Sequence, residues 1–266
     1  MVDTLVFHLA AVACLLPAAL LPLTRAVAPL AQSLATVLAA VGPTAWVTLQ
    51  LAEGWHTGFS ATLWVIIAVS SLLFFLVTMY SRHAWRLSPL IMPYLALLGL
   101  AATVWAQEDN PVLMMRGGLP PVWLVFHILV SVVTYGLLTV AAVAALGAAL
   151  QERALKRKQP TRLTRLLPSV AESERLSVRL LVISEGVLGL GLISGMVVEY
   201  LQTGTLLVLD HKTSLSLLSF VVIGGLLAAH RWMGVRGRLA ARTLLTAYLL
   251  LTLAFPGIKF ISDVVV

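Results

Sequence analysis

Three histidines lie near the ends of apolar stretches, where an imidazole could serve as a metal ligand: His127, His211 and His230. Neutral imidazole is a good axial ligand for haem iron, and a haem between two membrane helices needs little more than such nitrogens and an apolar slot. His211 and His230 stand at the two ends of one apolar helix, about 28 Å apart at ~1.5 Å per residue. That is nearly the ~30 Å thickness of a bilayer core. The two therefore cannot share one metal, and each needs partners on its own side of a membrane.

His127 is the partner expected for His211. It lies about 9 Å along a helix from Pro121, and His211 directly precedes an apolar run, so both belong to one outer layer. Ser131 and Tyr135 follow His127 at i+4 and i+8, which makes this helix face polar and turns it into the bundle. The two histidines would face one another if their helices pack together. The alternative is that they only hydrogen-bond across helices or lie at the headgroup level.

Further ionisable residues could complete such a site. Arg116 and Lys212 are outer-layer cations that could neutralise the propionates of a haem or the carboxylates of another anionic ligand. Glu185 could bind a proton or ion, but its position near the basic inner loop favours a pair with Arg179 or Arg242. The glycines of the same stretch have the small-residue spacing that permits close helix packing: Gly186, Gly189, Gly191 and Gly195.

The composition places all these residues in a membrane. Hydrophobic residues make up 60% of the chain, charged residues 11%, and the mean hydropathy is +0.98; soluble domains have roughly 45–50% apolar and ~25% charged residues. The net charge of +7 does not indicate a nucleic-acid-binding protein, because the cations fall between apolar runs rather than on an aromatic surface. Cys14 is the only cysteine, which excludes an intramolecular disulfide and a CxxC pair. Walker loops, HExxH sites and hydrolase triads are also absent, so no conventional enzyme is indicated.

The apolar runs predict an all-α fold, a single domain consisting of a bundle of eight transmembrane helices, since a span needs ~20 residues. The predicted spans are Thr4–Leu23, Leu30–Leu51, Phe59–Tyr80, Leu87–Ala106, Val122–Leu150, Leu180–Leu201, Thr213–Ala229 and Thr243–Phe260.

The cations predict the orientation of these spans. All but three of the 18 lysines and arginines fall in alternate loops on one side, the exceptions being Arg116, Lys212 and Lys259. Cytoplasmic loops retain Lys and Arg, so the sequence predicts both termini outside, as in a multi-pass protein of a bacterial inner (plasma) membrane. The basic loop 151–179 is then cytoplasmic. Leu163, Leu166, Leu167 and Val170 recur there at helical spacing, which fits either a short amphipathic helix on the anionic membrane surface or a solvated linker.

Four motifs in this order and topology resemble the cytochrome c assembly family. They are Phe126-His127-Ile128 with Tyr135, the segment Leu188–Gly195, Asp210-His211-Lys212-Thr213, and His230 with Gly234–Arg238. The chain is most similar to the short eight-helix YpjD branch, which is related to CcsA and to HemX-type proteins. The resemblance covers residues 122–262 well, whereas 1–121 forms a variable N-terminal part.

The resemblance implies haem handling, with b-type haem held non-covalently near the outer face. His127 matches a family histidine and is the best candidate ligand, His211 replaces a proline of the family pattern, and His230 matches the histidine before the basic inner loop. Expected partners are the lipid bilayer, haem, other cytochrome c assembly proteins and apocytochrome c, and no nucleic acid.

Two departures from the family pattern indicate an accessory, transport or regulatory protein rather than a complete haem-attachment enzyme. The segment Gln202–Leu209 lacks the tryptophans of the family's haem-presenting loop, and Gly257–Val266 lacks the later histidine. Two other functions stay open. One is a small-solute or ion transporter that uses Glu185, and the other is a HemX-like regulator or scaffold of tetrapyrrole synthesis that acts through the basic loop.

Overall fold

The computed structural model describes residues 2–24, 29–53, 58–81, 83–106, 121–205 and 210–261. Helices make up this part of the chain, and no strand occurs within it. The longer helices are α1 (Val2–Leu20), α2 (Pro29–Glu53), α3 (Phe59–Tyr80), α4 (Ser88–Val104), α5 (Pro121–Arg157), α7 (Val170–Thr203), α8 (His211–Met233) and α9 (Gly237–Thr252). A short helix, α6 (Arg162–Leu166), connects α5 and α7.

The prediction of eight spans is confirmed. Eight helices within the described ranges are long and apolar enough to cross a membrane, and their bounds follow the predicted runs closely at most ends. We call the end of the bundle where α5 begins and α7 ends the outer end, because the cation distribution predicts that it faces outside. The opposite end is the inner end.

Two helices are longer than their apolar runs. Helix α5 has 37 residues, about 55 Å at ~1.5 Å per residue, and so extends past the ~30 Å hydrocarbon core. Helix α7 begins at Val170, ten residues before the predicted Leu180, because Ser169 and Glu172 form a capping box that starts a helix ahead of the apolar run. The predicted basic loop is therefore mostly helical.

The inner connection folds against the bundle. Thr161 and Thr164 cap α6 reciprocally, and Leu167 just after α6 is 2% exposed within the core. The Gln151 amide donates to the backbone carbonyls of Leu167 and Pro168 at 3.1 and 3.2 Å, which attaches the connection to α5. A short helix that packs on the bundle through Thr164 and the adjoining Leu167 thus replaces the alternative of a solvated linker.

Helix α5 is the centre of the bundle. Its middle is rich in buried small residues, among them Ala141, Ala144 and Ala148, and its most extensive contact is with α7. Small residues let membrane helices approach closely, since lipid offers no hydrophobic driving force for association. Helices α1 to α4 form one group, which reaches α5 mainly through α3. Helices α7, α8 and α9 lie on the other side of α5 and form the candidate site with it.

The orientation can be tested with single cysteines. In a Cys14→Ser background, we expect a membrane-impermeant maleimide to label Thr205→Cys, at the exposed outer end, in intact cells. The same reagent should label Gln159→Cys, in the exposed inner connection, only after permeabilisation. Labelling in the reverse pattern would show that the termini are cytoplasmic.

Candidate functional site

Four helices form a ring around a cavity at the outer end. Helix α5 packs against α7 and α9, and α8 packs against the same two helices, so α5 and α8 face each other across the ring. The cavity between them has a volume of about 470 Å³, within the roughly 300–1,000 Å³ of small-molecule and cofactor sites. We call it the outer cavity.

His127 on α5 lines the outer cavity and has a defined hydrogen-bond arrangement. Ser194 on α7 donates its hydroxyl proton to the Gly191 carbonyl at 2.9 Å. Its oxygen also lies 2.9 Å from His127 Nδ1. The serine proton is already used, so the imidazole must donate from Nδ1, and the remaining nitrogen Nε2 carries a lone pair. A hydrogen bond that fixes one ring nitrogen as donor leaves the other able to bind a metal.

Gly195 on α7 lies directly against the His127 ring. A Cβ at this position would lie 3.0 Å from His127 Cε1, closer than ordinary van der Waals contact allows. Gly191 also lines the cavity, whereas Gly186 meets nothing within 4 Å. The glycines predicted to serve helix packing therefore differ in role, and Gly195 makes room for the imidazole.

His211 does not lie where its spacing predicted. Its side chain is exposed and is not part of the cavity wall, although Lys212, Thr213, Ser216 and Leu217 are. At 100° per residue the last three of these centre on a face of α8 roughly opposite to His211. The predicted depth of His211 is consistent with its place at the start of α8, but its rotation about the helix axis turns it away from His127.

The mouth of the outer cavity carries charges of both signs. Lys212 contributes one cation, and Glu199 and Asp210 contribute two carboxyl groups. Partial burial raises the pKa of Asp210, but hydrogen bonds from Thr213 and the charges of Lys212 and His211 outweigh it and hold the pKa below its usual value. Asp210 is therefore an anion at neutral pH. From the sequence, Asp210 is named only as part of a family motif, and neither carboxyl group is assigned to the site.

Tyr135 forms the inner side of the cavity and belongs to a cluster of hydroxyl groups. It is 1% exposed, and its hydroxyl lies 3.1 Å from Thr252 Oγ1 and accepts from Tyr248 at 3.2 Å. Tyr248 in turn lies 2.6 Å from the Tyr94 hydroxyl. The polar face that the sequence predicted for α5 thus faces the bundle, as membrane burial requires. Ser131 also lines the cavity, but its proton goes to the His127 carbonyl at 2.8 Å.

A π-helical segment, Leu253–Gly257, completes the wall after α9. It contains Pro256, which lacks an N–H and interrupts the regular hydrogen-bond ladder of the helix. The wider turn places Phe255 in the cavity wall, where its ring stacks on Tyr135 with centroids 6.5 Å apart. Sequence reasoning missed Phe255, although a proline within an apolar run marks the irregular turn.

Two other predicted residues lie away from the outer cavity. His230 Nδ1 donates to the Val235 carbonyl at 2.8 Å and so caps the inner end of α8, next to a smaller cavity that Glu174 and Arg236 also line. Glu185 lies midway along α7, against Gly224 of α8. Its Oε2 is buried without a hydrogen-bond partner among the described residues, so the expected ion pair with Arg179 or Arg242 is not formed there.

The described residues contain no group of three His, Cys, Asp or Glu side chains that could hold a metal ion. Arg116 lies outside the described residues. Of the side chains predicted to bind a ligand, the structure therefore brings four together in one cavity: His127, Ser131, Tyr135 and Lys212.

Comparison with known proteins gives three findings. The family described as "Cytochrome C assembly protein" matches residues 27–265. An Azospirillum brasilense protein described as "Uncharacterized 28.8 kDa protein in nifR3-like 5'region" is 54% identical over 270 residues, which cover 99% of each chain. No solved structure matches the chain significantly.

The close contact at Gly195 predicts an asymmetry between glycines of one helix. We expect Gly195→Val to lower the free energy of unfolding by about 1–3 kcal/mol, because the new side chain overpacks against the His127 ring. Gly186→Ala, with open space around it, should be neutral or stabilising by up to ~1 kcal/mol through helix propensity. Denaturant titration in detergent micelles measures both. Equal effects of the two variants would contradict the packing described here.

Proposed function

The chain belongs to the cytochrome c assembly family, and from this premise we propose that it serves cytochrome c maturation by binding haem in the outer cavity. The observation that carries the proposal is His127, whose Nδ1 donates to Ser194 and whose Nε2 lone pair is left for a metal. An axial imidazole ligand regularly has its other ring nitrogen fixed in this way.

The residues of the outer cavity fit a haem. The volume is adequate, and the wall alternates apolar side chains such as Leu188, Leu192 and Leu251 with a few hydroxyl groups. Binding sites for flat organic cofactors have this composition, mostly apolar with a small number of polar groups that fix orientation. Among the described residues, Lys212 is the cation that lines the cavity, and it would neutralise a propionate of the haem. Bound iron supplies the site for axial coordination and redox chemistry.

His127 is the protein ligand that we propose. His211 is exposed on the opposite side of α8, and no second histidine of the described ranges lines the cavity. The α8 wall instead contributes the hydroxyls of Thr213 and Ser216. The site would then hold haem through a single protein ligand, which suits a protein that receives haem and passes it on. We accordingly propose an accessory role in haem handling rather than haem attachment itself.

The two histidines give the decisive test. Purified protein, expressed with ample haem, should show a Soret band that His127→Ala abolishes and His211→Ala leaves in place. Ser194→Ala removes the partner of Nδ1 and should weaken haem affinity about 10- to 100-fold, as loss of such supporting hydrogen bonds does. Absence of a Soret band in the unaltered protein, or a band indifferent to His127→Ala, would refute the proposal.

A second function, proton-coupled movement of a small solute, is favoured by Glu185. A carboxyl group in the middle of a membrane helix without a partner is costly, and such groups mark proton or ion pathways. If Glu185 carries a proton, Glu185→Gln should abolish pH-driven solute uptake into proteoliposomes while His127→Ala leaves it intact. Retention of uptake in the Gln variant would exclude this function for Glu185.

A further inference from the structure

A third cavity lies at the inner end of the bundle, away from the outer cavity and from the small cavity beside His230. It has a volume of about 620 Å³ and lies between the end of the first span and α6. Five residues line it: Thr24, Pro160, Arg162, Arg165 and Leu166. We call it the α1–α6 cavity. Two arginines line this space, and none of the described residues in its wall is acidic.

The two arginines lack acidic partners. The salt bridges found in the described ranges join His83 to Glu172 and Lys156 to Glu152, and neither involves α6. Arg162 donates to the Leu23 carbonyl, which ties α6 to the end of the span Thr4–Leu23 and uses only part of the arginine's donor set. The Arg165 side chain has no hydrogen bond within the part of the chain that is described. Unpaired guanidinium groups that share a cavity select an anion, and their planar donor fork matches phosphate oxygens.

The position of the α1–α6 cavity favours a lipid phosphate over a soluble one. Thr24 follows the last residue of the span Thr4–Leu23, and so lies at the depth of the lipid headgroups. Near the end of α1, Leu16 and Leu20 are 44% and 57% exposed and lie four residues apart on one side of that helix. These leucines give an acyl chain an apolar surface next to the headgroup layer, and a soluble anion gains nothing from such a surface.

The fold fixes the backbone of both arginines. The buried Leu167 side chain and the Gln151 hydrogen bonds fix the end of α6, and the capping box of Thr161 fixes its start. Arg162 and Arg165 are three residues apart and therefore share one side of the short helix. Because their backbone is already ordered, binding of a ligand involves no loss of conformational entropy from ordering a loop. Basic pockets of this kind at the cytoplasmic membrane face bind anionic lipid headgroups.

We propose that the α1–α6 cavity binds the phosphate of an anionic phospholipid, with Arg162 and Arg165 on the headgroup and Leu16 and Leu20 along an acyl chain. The site is independent of the haem proposal, since it shares no residue with the outer cavity. A bound lipid would join α1 to the α5–α7 connection and so link the N-terminal helices to the ring that forms the outer cavity.

Native mass spectrometry of the full chain tests this directly. The protein is reconstituted with phosphatidylglycerol and phosphatidylcholine, and the ratio of the two lipids retained after transfer to detergent is measured. Loss of one charge-assisted hydrogen bond to a phosphate weakens binding roughly tenfold, so Arg165→Gln should lower the retained ratio about tenfold and the double variant Arg162→Gln/Arg165→Gln roughly 100-fold.

A matched control removes two other exposed arginines from the same end. Arg153→Gln/Arg157→Gln, at the end of α5 and outside the cavity wall, should leave the ratio unchanged within about twofold. If the control lowers the lipid ratio as much as the double variant does, the effect comes from general surface charge and the proposal is overturned. Displacement of phosphatidylglycerol by millimolar glycerol phosphate would assign the arginines to a soluble phosphate and overturn it too. If the double variant does not fold, Arg165→Gln alone decides the test, because Arg162 and not Arg165 donates the hydrogen bond to Leu23.

Discussion

The close contact between α5 and α7 is the constraint on which the rest of the structure depends. Within a membrane, helices gain little from burying apolar surface, so their packing rests on small residues and on polar contacts between helices. At the outer end this contact consists of the imidazole of His127 over Gly195, with Nδ1 bonded to Ser194. The same contact that joins the two helices therefore also fixes the orientation of the one imidazole that lines the outer cavity.

The cavity itself results from two unequal contacts. Helix α5 packs closely on α7 and α9, whereas α8 makes its main contacts with those two neighbours. Tyr135, whose hydroxyl bonds to that of Tyr248, lines the inner side of the cavity, and the π-helical turn that contains Pro256 contributes Phe255 to its wall. Polar groups in a bilayer must find partners inside the protein. The tyrosine cluster meets this need, whereas His127 Nε2 has no hydrogen-bond partner among the described residues.

The sequence predicted positions along the helices well and rotation about their axes poorly. Apolar runs determine where each helix begins and ends, so the eight spans and the place of His127 near one end of α5 were accessible from residue spacing. His211 shows the gap, since spacing places it at the start of α8, whereas its direction depends on which face of α8 packs inward. The start of α8, His211-Lys212-Thr213-Ser214, is polar on every side and does not reveal that face. Ser131 and Tyr135 do reveal it for α5, because they repeat at helical spacing with His127.

The charges at the mouth of the outer cavity restrict how an anionic ligand can bind. Lys212 faces two carboxyl groups, Glu199 and Asp210, and the latter is held ionised by Thr213 and Lys212. A ligand with two carboxylates at this mouth would have one neutralised and the other set against like charge, at a cost that low dielectric increases. In the proposed haem site, attraction to His127 would thus be opposed by repulsion at the mouth of the cavity. Such opposition would favour release of the ligand over storage.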